Sequence, residues 1–334
     1  MRCVVGRTDR NHHGIRRCLS APGRRTVNLD AAQTTVVDTA AAHLKAPGGD
    51  AQRLFHGRGH CYEGIEHLTV DWYPPFLLIS VFRRDVDQTW LDTLAKALAE
   101  VVPAVTGIAL QRRDGRNTRA EILRGEVPEE WVIHEAGMHY LVHPLTHQNI
   151  GFFLDMEPAR RWVSARAADC KVLNLFAFTC AFSVVAIAGG ARQVVNNDMN
   201  RSVLNRGKEN HRLNGHDERA VRYVPHNLFK SWRKLKQLGR YDLIVVDPPT
   251  NQRGSFVAEK DYPGVMKRLP DLAAPGANVL LCLNSPFLPF HFLEDQMARR
   301  CPGYRFIERI QPSPDFPDQH PDRGLKLAVF RAPN

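Results

Sequence analysis

The sequence predicts an α/β protein, in which a mainly parallel β-sheet with flanking helices follows a small α+β domain. Three observations lead to this fold class. Residues 171–198 have the pattern of one β-α-β unit, and the apolar run 241–246 has the length of a buried strand. Residues 55–144 contain several short strand-like runs around one helical pattern, which is typical of a compact α+β domain.

The β-α-β unit has the features of a nucleotide-binding turn. An apolar strand over 172–176 is followed by a buried helix over 182–187, and a second strand leads to the acidic residue Asp198. The loop after the first strand of such a unit lies at the carboxyl edge of the sheet, where nucleotides bind. An acidic side chain about twenty residues further on can accept both ribose hydroxyls. The unit therefore predicts a cofactor that contains adenosine.

The composition of the first loop favours one class of cofactor. Residues 176–181 contain no glycine, whereas a dinucleotide-binding loop needs a G-x-G-x-x-G turn so that a pyrophosphate can approach the backbone. S-adenosylmethionine (SAM) carries no phosphate, so we predict SAM rather than NAD. An ordinary buried β-α-β unit without a ligand stays an alternative for this stretch alone.

Composition limits the compartment and the partners. The formal charge of +10 and the pI near 9.5 favour a polyanionic partner such as nucleic acid over a small molecule. The seven cysteines are scattered without C-x-x-C spacing, so we expect a reducing cytoplasm and no disulfide framework. We predict no membrane span and no metal site, since the one group worth testing matches no standard spacing: Cys3, His12, His13 and Cys18.

The N-terminal half divides into three predicted parts. Residues 1–28 are basic and lack a hydrophobic period, which predicts a disordered arm, with RNA contact as the alternative. Residues 29–54 have helical spacing and form a predicted lead-in helix, broken at Pro47-Gly48-Gly49. Residues 55–146 form the α+β domain, which we expect to dock the substrate. Its predicted elements are a helix over 90–102 and strands over 67–72, 76–82, 106–111, 131–134 and 139–142.

The remaining residues, 147–334, form the predicted cofactor-binding domain. A helix over 200–214 opens the densest basic region of this half, with 11 Lys or Arg against three acids over 201–240. A surface that tracks phosphates and an ordinary solvated face are both open interpretations. Further elements are strands over 221–224, 278–283, 305–310 and 325–330, and a helix over 292–300.

A proline corner follows the buried strand 241–246. Asp247 is followed by Pro248, Pro249 and Thr250, and the two prolines cannot continue a central strand, so the chain must turn outward at the cofactor edge. Proline carbonyls have no competing amide on the same residue. This arrangement at this position favours methylation of an amino or ring nitrogen of a base.

These residues together resemble a known family. The sequence is similar to the class I SAM-dependent methyltransferases that modify large-subunit ribosomal RNA, including guanine-N7 and cytosine-C5 enzymes, over residues 55–331. The resemblance implies a Rossmann-like sheet preceded by a small α+β domain. The matching segments are Gly151-Phe152-Phe153-Leu154-Asp155, residues 172–179, Asn197-Asp198-Met199-Asn200-Arg201, residues 209–215 and Asp247-Pro248-Pro249-Thr250.

The resemblance also implies roles for single residues. Asp198 would hold the ribose, Asp155 would lie near the methionine end, and Asp247, Pro248 and Pro249 would face the methyl group and the target base. Asn227 and Leu228 would face adenine. The remaining cofactor-binding residues come from the matching segments and are Asn174, Leu175, Phe176, Ala177, Thr179 and Met199.

The sequence departs from the family pattern at several positions. Ala181 stands where glycine is usual, Asn227 where aspartate is usual, and Asn251 where an aromatic residue would stack the flipped base. The C5 enzymes resemble one another in a Ser-Cys-Ser run that supplies a thiolate nucleophile. Here that place is Leu283-Asn284-Ser285, which disfavours cytosine-C5 chemistry unless Cys282 substitutes.

The leading hypothesis is methyl transfer from SAM to a nitrogen of an RNA base, with ribosomal RNA as the partner. Two alternatives stay open, one of another class of function and one within the same fold. One is a non-catalytic RNA-binding module, in which the three altered positions reflect lost turnover. The other is a small-molecule methyltransferase, which the basic region and the accessory domain disfavour.

Overall fold

The structure is a computed structural model that describes residues 29–45, 49–113, 118–146, 149–252 and 256–334. The predicted arm at residues 1–28, with Cys3, His12, His13 and Cys18, lies outside the described residues. Within the described ranges, no helix is both long and apolar enough to span a bilayer. The same ranges contain no group of three or more His, Cys, Asp or Glu side chains that could bind a metal ion.

The N-terminal part is a five-stranded sheet covered on one face by two helices. Strands β3 and β4 are parallel and the other neighbours are antiparallel, in the order β1-β2-β3-β4-β5. The apolar side chains of α2, including Leu91, Leu94 and Leu98, pack on this sheet. The elements are α1 (Leu29–His43), β1 (Gln52–His56), β2 (Leu68–Tyr73), β3 (Phe76–Val81), α2 (Gln88–Val101), β4 (Gly107–Arg112) and β5 (Arg119–Gly125).

The predicted lead-in helix over 29–54 is only partly correct. The helix ends at His43, and Gln52–His56 form strand β1, in which Gln52 pairs with Trp72 of β2. Leu54 and Phe55 are fully buried in the resulting core. The prediction was wrong after residue 43 because a short apolar run fits a strand and a helix equally well until its partner strand is known.

A separate hairpin connects the two halves of the molecule. It consists of β6 (Trp131–Glu135) and β7 (Met138–Val142). Its Ile133 and Tyr140 belong to one apolar core with Phe76 of the first sheet, Phe152 of the connecting segment, and Val184 of the C-terminal half. The hairpin therefore packs against both halves, so that the accessory sheet is held next to the cofactor-binding half.

The C-terminal half is built on a seven-stranded sheet in the order β10-β9-β8-β11-β14-β16-β15. The first five strands of this order are parallel, and β16 is antiparallel to both its neighbours. The predicted Rossmann-like α/β fold is confirmed. The strands are β8 (Lys171–Leu175), β9 (Gln193–Asn197), β10 (Val221–Val224), β11 (Tyr241–Val246), a short hairpin of β12 (Asn251–Gln252) and β13 (Phe256–Val257), β14 (Ala273–Asn284), β15 (Arg305–Ile310) and β16 (Leu325–Arg331).

Helices cover both faces of this sheet. Side chains alternate between the faces along each strand, so that Val172 packs with α3 and α4, while Leu173 packs with α7 and α9. The helices are α3 (Glu157–Ser164), α4 (Ala181–Ala188), α5 (Arg201–Leu213), α6 (Trp232–Gln237), α7 (Ala258–Met266), α8 (Leu269–Leu272) and α9 (His291–Arg300).

The strand register brings four loops to one edge. Leu175 is in register with Asn197 on one side and with Val246 on the other, and Asn197 is in register with Val224. The residues that follow these strands therefore emerge side by side at the carboxyl edge. In parallel α/β sheets this is the edge at which ligands bind.

Candidate active site

A cavity of about 630 Å³ lies at this edge, within the size range of small-molecule sites. Its walls are the loops after β8, β9, β10 and β11 and the segment that enters α3. Most residues that the sequence predicted for the site line it together: Asp155, Phe176, Ala177, Thr179, Asp198, Met199, Asn227, Leu228, Asp247, Pro248 and Pro249. Asp198 and Asp247, which come from different strands, therefore share one cavity.

The loop after β8 has an unusual backbone. Phe176, Phe178 and Cys180 have φ values of 59°, 47° and 64°, which lie in the left-handed region although none is glycine. Each such residue costs roughly 1–2 kcal/mol, so tertiary contacts must hold the loop. The Thr179 hydroxyl donates to the Gly151 carbonyl at 2.6 Å, and the Asn210 amide donates to the Thr179 carbonyl at 2.8 Å.

The departure from glycine at Ala181 has a simple structural account. Ala181 is the first residue of helix α4, and the left-handed turn precedes it at Cys180. Glycine is therefore not required at position 181 for its φ value. The alanine methyl group belongs to the cavity wall.

Asp198 is held in place by backbone amides. One carboxylate oxygen accepts from the Phe178 amide at 3.0 Å, and the other accepts from the Asn200 amide at 2.8 Å. Burial raises the pKa of Asp198, and the two amide hydrogen bonds act in the opposite direction. Each oxygen keeps a further lone pair, so the carboxylate can accept the two hydroxyls of a ribose.

The loop after β10 forms a largely apolar wall. The Asn227 side chain accepts a hydrogen bond from the Phe229 amide at 2.9 Å and so caps the turn Leu228–Lys230. An aspartate could make the same bond, so asparagine preserves the local structure. Leu228 and Phe229 line the cavity beside it, and an apolar wall of this kind suits an adenine face.

Two further carboxyl groups lie at the other part of the cavity. Burial, together with the charge of Asp155, raises the pKa of Asp247 to about 7, and Arg160 opposes this shift. Burial also raises the pKa of Asp155, while Arg53 and Arg160 lower it. Asp247 is therefore a carboxyl group that titrates near neutral pH, as expected for a group that exchanges protons with a substrate.

The proline corner is fixed by hydrogen bonds to the sheet. The Thr250 hydroxyl donates to the Asn284 carbonyl, and the Ala258 amide donates to the Thr250 carbonyl at 3.0 Å. The Tyr262 hydroxyl bonds the carbonyl of Val246, the last residue of β11, at 3.1 Å. Asp247 is therefore presented from a rigid support.

Two predicted residues lie outside the cavity. The Leu175 side chain is fully buried in the core, and the Asn174 amide donates to the Asn196 side chain inside the sheet at 3.0 Å. Side chains within a strand point into the layers above and below it, and in β8 only the residues past its end reach the cavity. The prediction therefore extended too far back along β8.

Cys282 cannot serve as a nucleophile in this arrangement. It lies within β14, its side chain is completely buried on the face packed by α3 and α4, and burial raises the pKa of its thiol well above the usual range. No cysteine of the described ranges lines the cavity. The geometry therefore does not support Cys282 as a substitute for the nucleophilic cysteine that cytosine-C5 chemistry requires.

Sequence reasoning missed several residues of the cavity wall. Phe153 and Phe178, whose ring centroids are 5.4 Å apart, line it, and so does Arg160. The Phe256 ring of β13 packs against Phe176 at 5.1 Å, but it is buried in the core and does not line the cavity, so it does not replace the aromatic residue missing at Asn251. Phe153, Phe178 and Arg160 are close in sequence to predicted site residues, and this proximity was the signal by which they could have been found. The other missed residues are Asn149, Gly151, Phe152, Met156, Phe182, Asn197, Asn200, Val203, Phe229, Thr250 and Asn284.

Comparisons with known proteins agree with this geometry. Residues 52–331 match the S-adenosylmethionine-dependent methyltransferase family. The ribosomal RNA large subunit methyltransferase I of Aeromonas salmonicida is 31% identical over 65% of this chain, which spans 57% of that relative's length. The protein of the same name from Cronobacter sakazakii is 30% identical over 86% of this chain and 75% of its own length.

A solved structure supports the fold independently. A candidate SAM-dependent methyltransferase from Streptococcus mutans superposes with a TM-score of 0.82 over 93% of this chain and 84% of that chain. Its sequence is 23% identical, so the similarity concerns the fold.

Proposed function

Because the chain belongs to the S-adenosylmethionine-dependent methyltransferase family, we propose that it transfers a methyl group from SAM to a base of large-subunit ribosomal RNA. The observation that carries the proposal is the single cavity shared by Asp198, which is oriented by two backbone amides, and Asp247, whose pKa is about 7. The names of the relatives suggest the substrate, and the net charge of +10 suits a polyanion. Action in the cytoplasm, substrate docking on residues 55–146 and the division of the chain near residue 146 are parts of the same proposal.

The residues present fit the cofactor. Asp198 would accept the ribose hydroxyls, Leu228 and Phe229 would contact adenine, and Asp155 and the loop 176–179 would surround the methionine part. When bound, SAM supplies a methyl group made electrophilic by its sulfonium charge, which a base nitrogen can attack as the carbon–sulfur bond breaks. The protein must mainly align these groups.

We assign two tasks to Asp247. Its ionised carboxylate accepts an N–H of the target base and so positions the nitrogen, with the Pro248 carbonyl as a second acceptor. As the new bond forms, the nitrogen becomes acidic and its proton passes to the carboxylate. A group with a pKa near 7 is suited to this transfer at neutral pH.

A nitrogen is a better target than cytosine C5 in this site. Methylation of C5 requires a thiolate that attacks the ring first, and no thiol of the described residues lines the cavity. A carboxyl group beside a proline carbonyl offers acceptors for an amino or ring N–H instead.

The test is tritium transfer from labelled SAM into protein-free ribosomal RNA by the Asp247→Ala variant. We expect the rate to fall by roughly 10²-fold or more, since a positioned proton acceptor is lost. The matched control is Asp295→Ala, which removes an exposed carboxylate on α9 and should retain full activity. Equal incorporation by both variants would contradict the assignment.

Calorimetry with SAM distinguishes the proposed enzyme from the main alternative, a non-catalytic RNA-binding module. A protein that binds RNA without catalysis and has lost the cofactor pocket should give no heat of binding. The wild type and Asp247→Ala should both bind SAM, whereas Asp198→Ala should bind it at least tenfold more weakly, because a charge-assisted hydrogen-bond acceptor is lost. Transfer to a metabolite extract but not to RNA would instead support a small-molecule enzyme.

A further inference from the structure

Two arginines of the accessory domain lie over one aromatic ring, and a third arginine lies over another ring. The guanidinium carbons of Arg58 and Arg113 lie 4.0 Å and 5.0 Å from the centroid of the Phe82 ring. Arg53 lies nearby and forms a buried ion pair with Asp71. Arg53 lies in β1, Arg58 lies in the turn after β1, and Arg113 directly follows β4.

The three arginines differ in whether they form an ion pair, and Arg53 pairs with Asp71. Within the described ranges, neither Arg58 nor Arg113 forms an ion pair, and the Nε group of Arg113 is buried without a hydrogen-bond acceptor. The Arg58 side chain is exposed by its accessible surface but its charge is partly desolvated, which, together with the charge of Arg53, lowers its pKa. Burial, and then the charge of Arg58, lowers the pKa of Arg113, and the charge of Asp71 opposes this shift. Two positive charges therefore lie together without a carboxylate at ion-pair distance among the described residues, and the buried Nε group of Arg113 still lacks an acceptor, which is unfavourable without an anion.

The cluster is adjacent to the cofactor cavity. The Arg113 guanidinium donates to the Asn149 side chain at 3.4 Å, and Asn149 is exposed and lines the cavity. The charge of Arg53 also lowers the pKa of Asp155, and the charge of Asp155 raises the pKa of Asp247. Arg113 therefore lies directly behind the part of the cavity wall that Asn149 forms, and Arg58 lies beside it on the Phe82 ring.

We propose that Arg58 and Arg113 bind a phosphodiester group of the RNA strand that carries the target nucleotide. This inference rests on the proposed function and adds to it a contact for the substrate backbone. Neither arginine lines the cavity, so the cofactor is not their ligand.

The chemistry of the pair selects phosphate. A guanidinium presents a planar fork of donors that matches the oxygens of a phosphate, and its weak hydration allows it to stack on an aromatic ring. Phe82 holds both forks by stacking, which reduces the conformational freedom lost on binding. A base that is to be methylated must leave its stack, so the adjacent backbone needs a fixed attachment point.

The test compares two double variants of the full chain that remove the same charge. R58Q/R113Q removes the proposed site, and R299Q/R300Q removes two exposed arginines of α9. The dissociation constant of a short fluorescein-labelled single-stranded RNA is measured by anisotropy over a range of salt concentrations. We expect R58Q/R113Q to bind about tenfold more weakly, and the slope of log K against log salt to be smaller in magnitude by about 0.7, the value for one neutralised phosphate of a single strand.

The control variant should retain the slope of the wild type, and all proteins should bind SAM equally in calorimetry. In methylation assays, R58Q/R113Q should raise KM for RNA with little change in kcat. Since Arg58 is exposed, the single variant R58Q provides the same comparison with half the slope change if the double variant unfolds. A wild type that methylates RNA, with equal slopes for both double variants, would overturn the phosphate site alone. A wild type that binds SAM but transfers nothing to RNA would overturn the proposed function.

Discussion

At the scale of single residues, the environment of Asp247 determines its chemistry. An exposed aspartate is a weak base at neutral pH, because it holds a proton only in acid. Removal from water and the neighbouring charge of Asp155 both disfavour the ionised form of Asp247. Together they raise the pKa of Asp247 to about 7. The same environment that makes the group useful in catalysis therefore costs folding free energy when the group is ionised.

The stability cost of Asp247 has a defined pH dependence. Asp247 loses its proton near the usual pKa of 3.8 in the unfolded chain and near 7 in the folded chain. The folded protein therefore binds the proton more tightly, and its free energy of unfolding falls as pH rises between these two values. Asp247→Asn removes the penalty, and its stability relative to the wild type should therefore be higher at pH 8 than at pH 5. Urea unfolding of both proteins at the two pH values measures the difference. An equal difference at both pH values would contradict the raised pKa.

The two central acidic residues could be predicted from sequence, but the arginine pair could not. Asp198 and Asp247 each follow an apolar strand, so local pattern and the rule for parallel sheets were sufficient. Arg58 and Arg113 are 55 positions apart (113 minus 58) and meet only because β1 and β4 belong to the same sheet. No local pattern distinguishes them from other surface arginines.

At the scale of elements, the loop after β8 depends on helix α5. Gly207 lies where α5 passes Cys180, and a methyl group at this position would come within 2.3 Å of the Cys180 sulfur and 2.9 Å of its Cβ. The helix can approach the loop only because this residue has no side chain. The left-handed residues on both sides of Ala177 are thus supported from outside the loop.

Gly207→Ala should therefore lower both stability and cofactor affinity. We expect the free energy of unfolding to fall by about 1–3 kcal/mol, the usual cost of overpacking, and SAM to bind more weakly. Gly264→Ala, also in a helix, is the matched control, because beyond its chain neighbours and its own helix backbone no atom of the described residues lies within 4 Å of the added methyl group. It should raise stability by up to about 1 kcal/mol through helix propensity. Thermal unfolding and calorimetry compare the two, and a stabilised Gly207→Ala would contradict the close approach.

The elements that sequence reasoning missed share one property. Strand β5 is an edge strand with exposed Ile122 and three charged residues. Helices α6 and α7 are short, and they contain Lys234 and Lys236 or Pro263. Their hydrophobic period is too weak to recognise without a partner surface. Strands buried on both sides, such as β11, were recognised because nearly every residue is apolar.

At the scale of the whole molecule, a buried ion pair joins the hairpin to the catalytic half. Arg160 of α3 donates to both carboxylate oxygens of Glu135 in β6, at 2.6 Å and 2.7 Å, and to the Phe153 carbonyl at 2.8 Å. Both side chains are almost completely buried. This pair could not be predicted, since the packing of the hairpin on α3 is a tertiary feature without a local signal.

Removal of one partner should be strongly destabilising. We expect Glu135→Ala to lower the free energy of unfolding by about 3–5 kcal/mol, because a buried guanidinium is left without its counterion. The double variant Glu135→Leu/Arg160→Met should cost less than Glu135→Ala. Glu209→Ala removes an exposed partner of Arg212 and should leave the melting temperature nearly unchanged. Chemical unfolding of the series checks the order, and a Glu135→Ala protein as stable as Glu209→Ala would contradict it.

Asn210 has a consequence for how the two ligands influence each other. Its side chain donates to Thr179 in the cofactor loop and accepts from the Leu141 amide in β7, so one amide group touches both the cofactor wall and the hairpin. Any displacement of the hairpin by bound nucleic acid would be transmitted to that loop. By thermodynamic linkage, the factor by which RNA changes the affinity for SAM must equal the factor by which SAM changes the affinity for RNA.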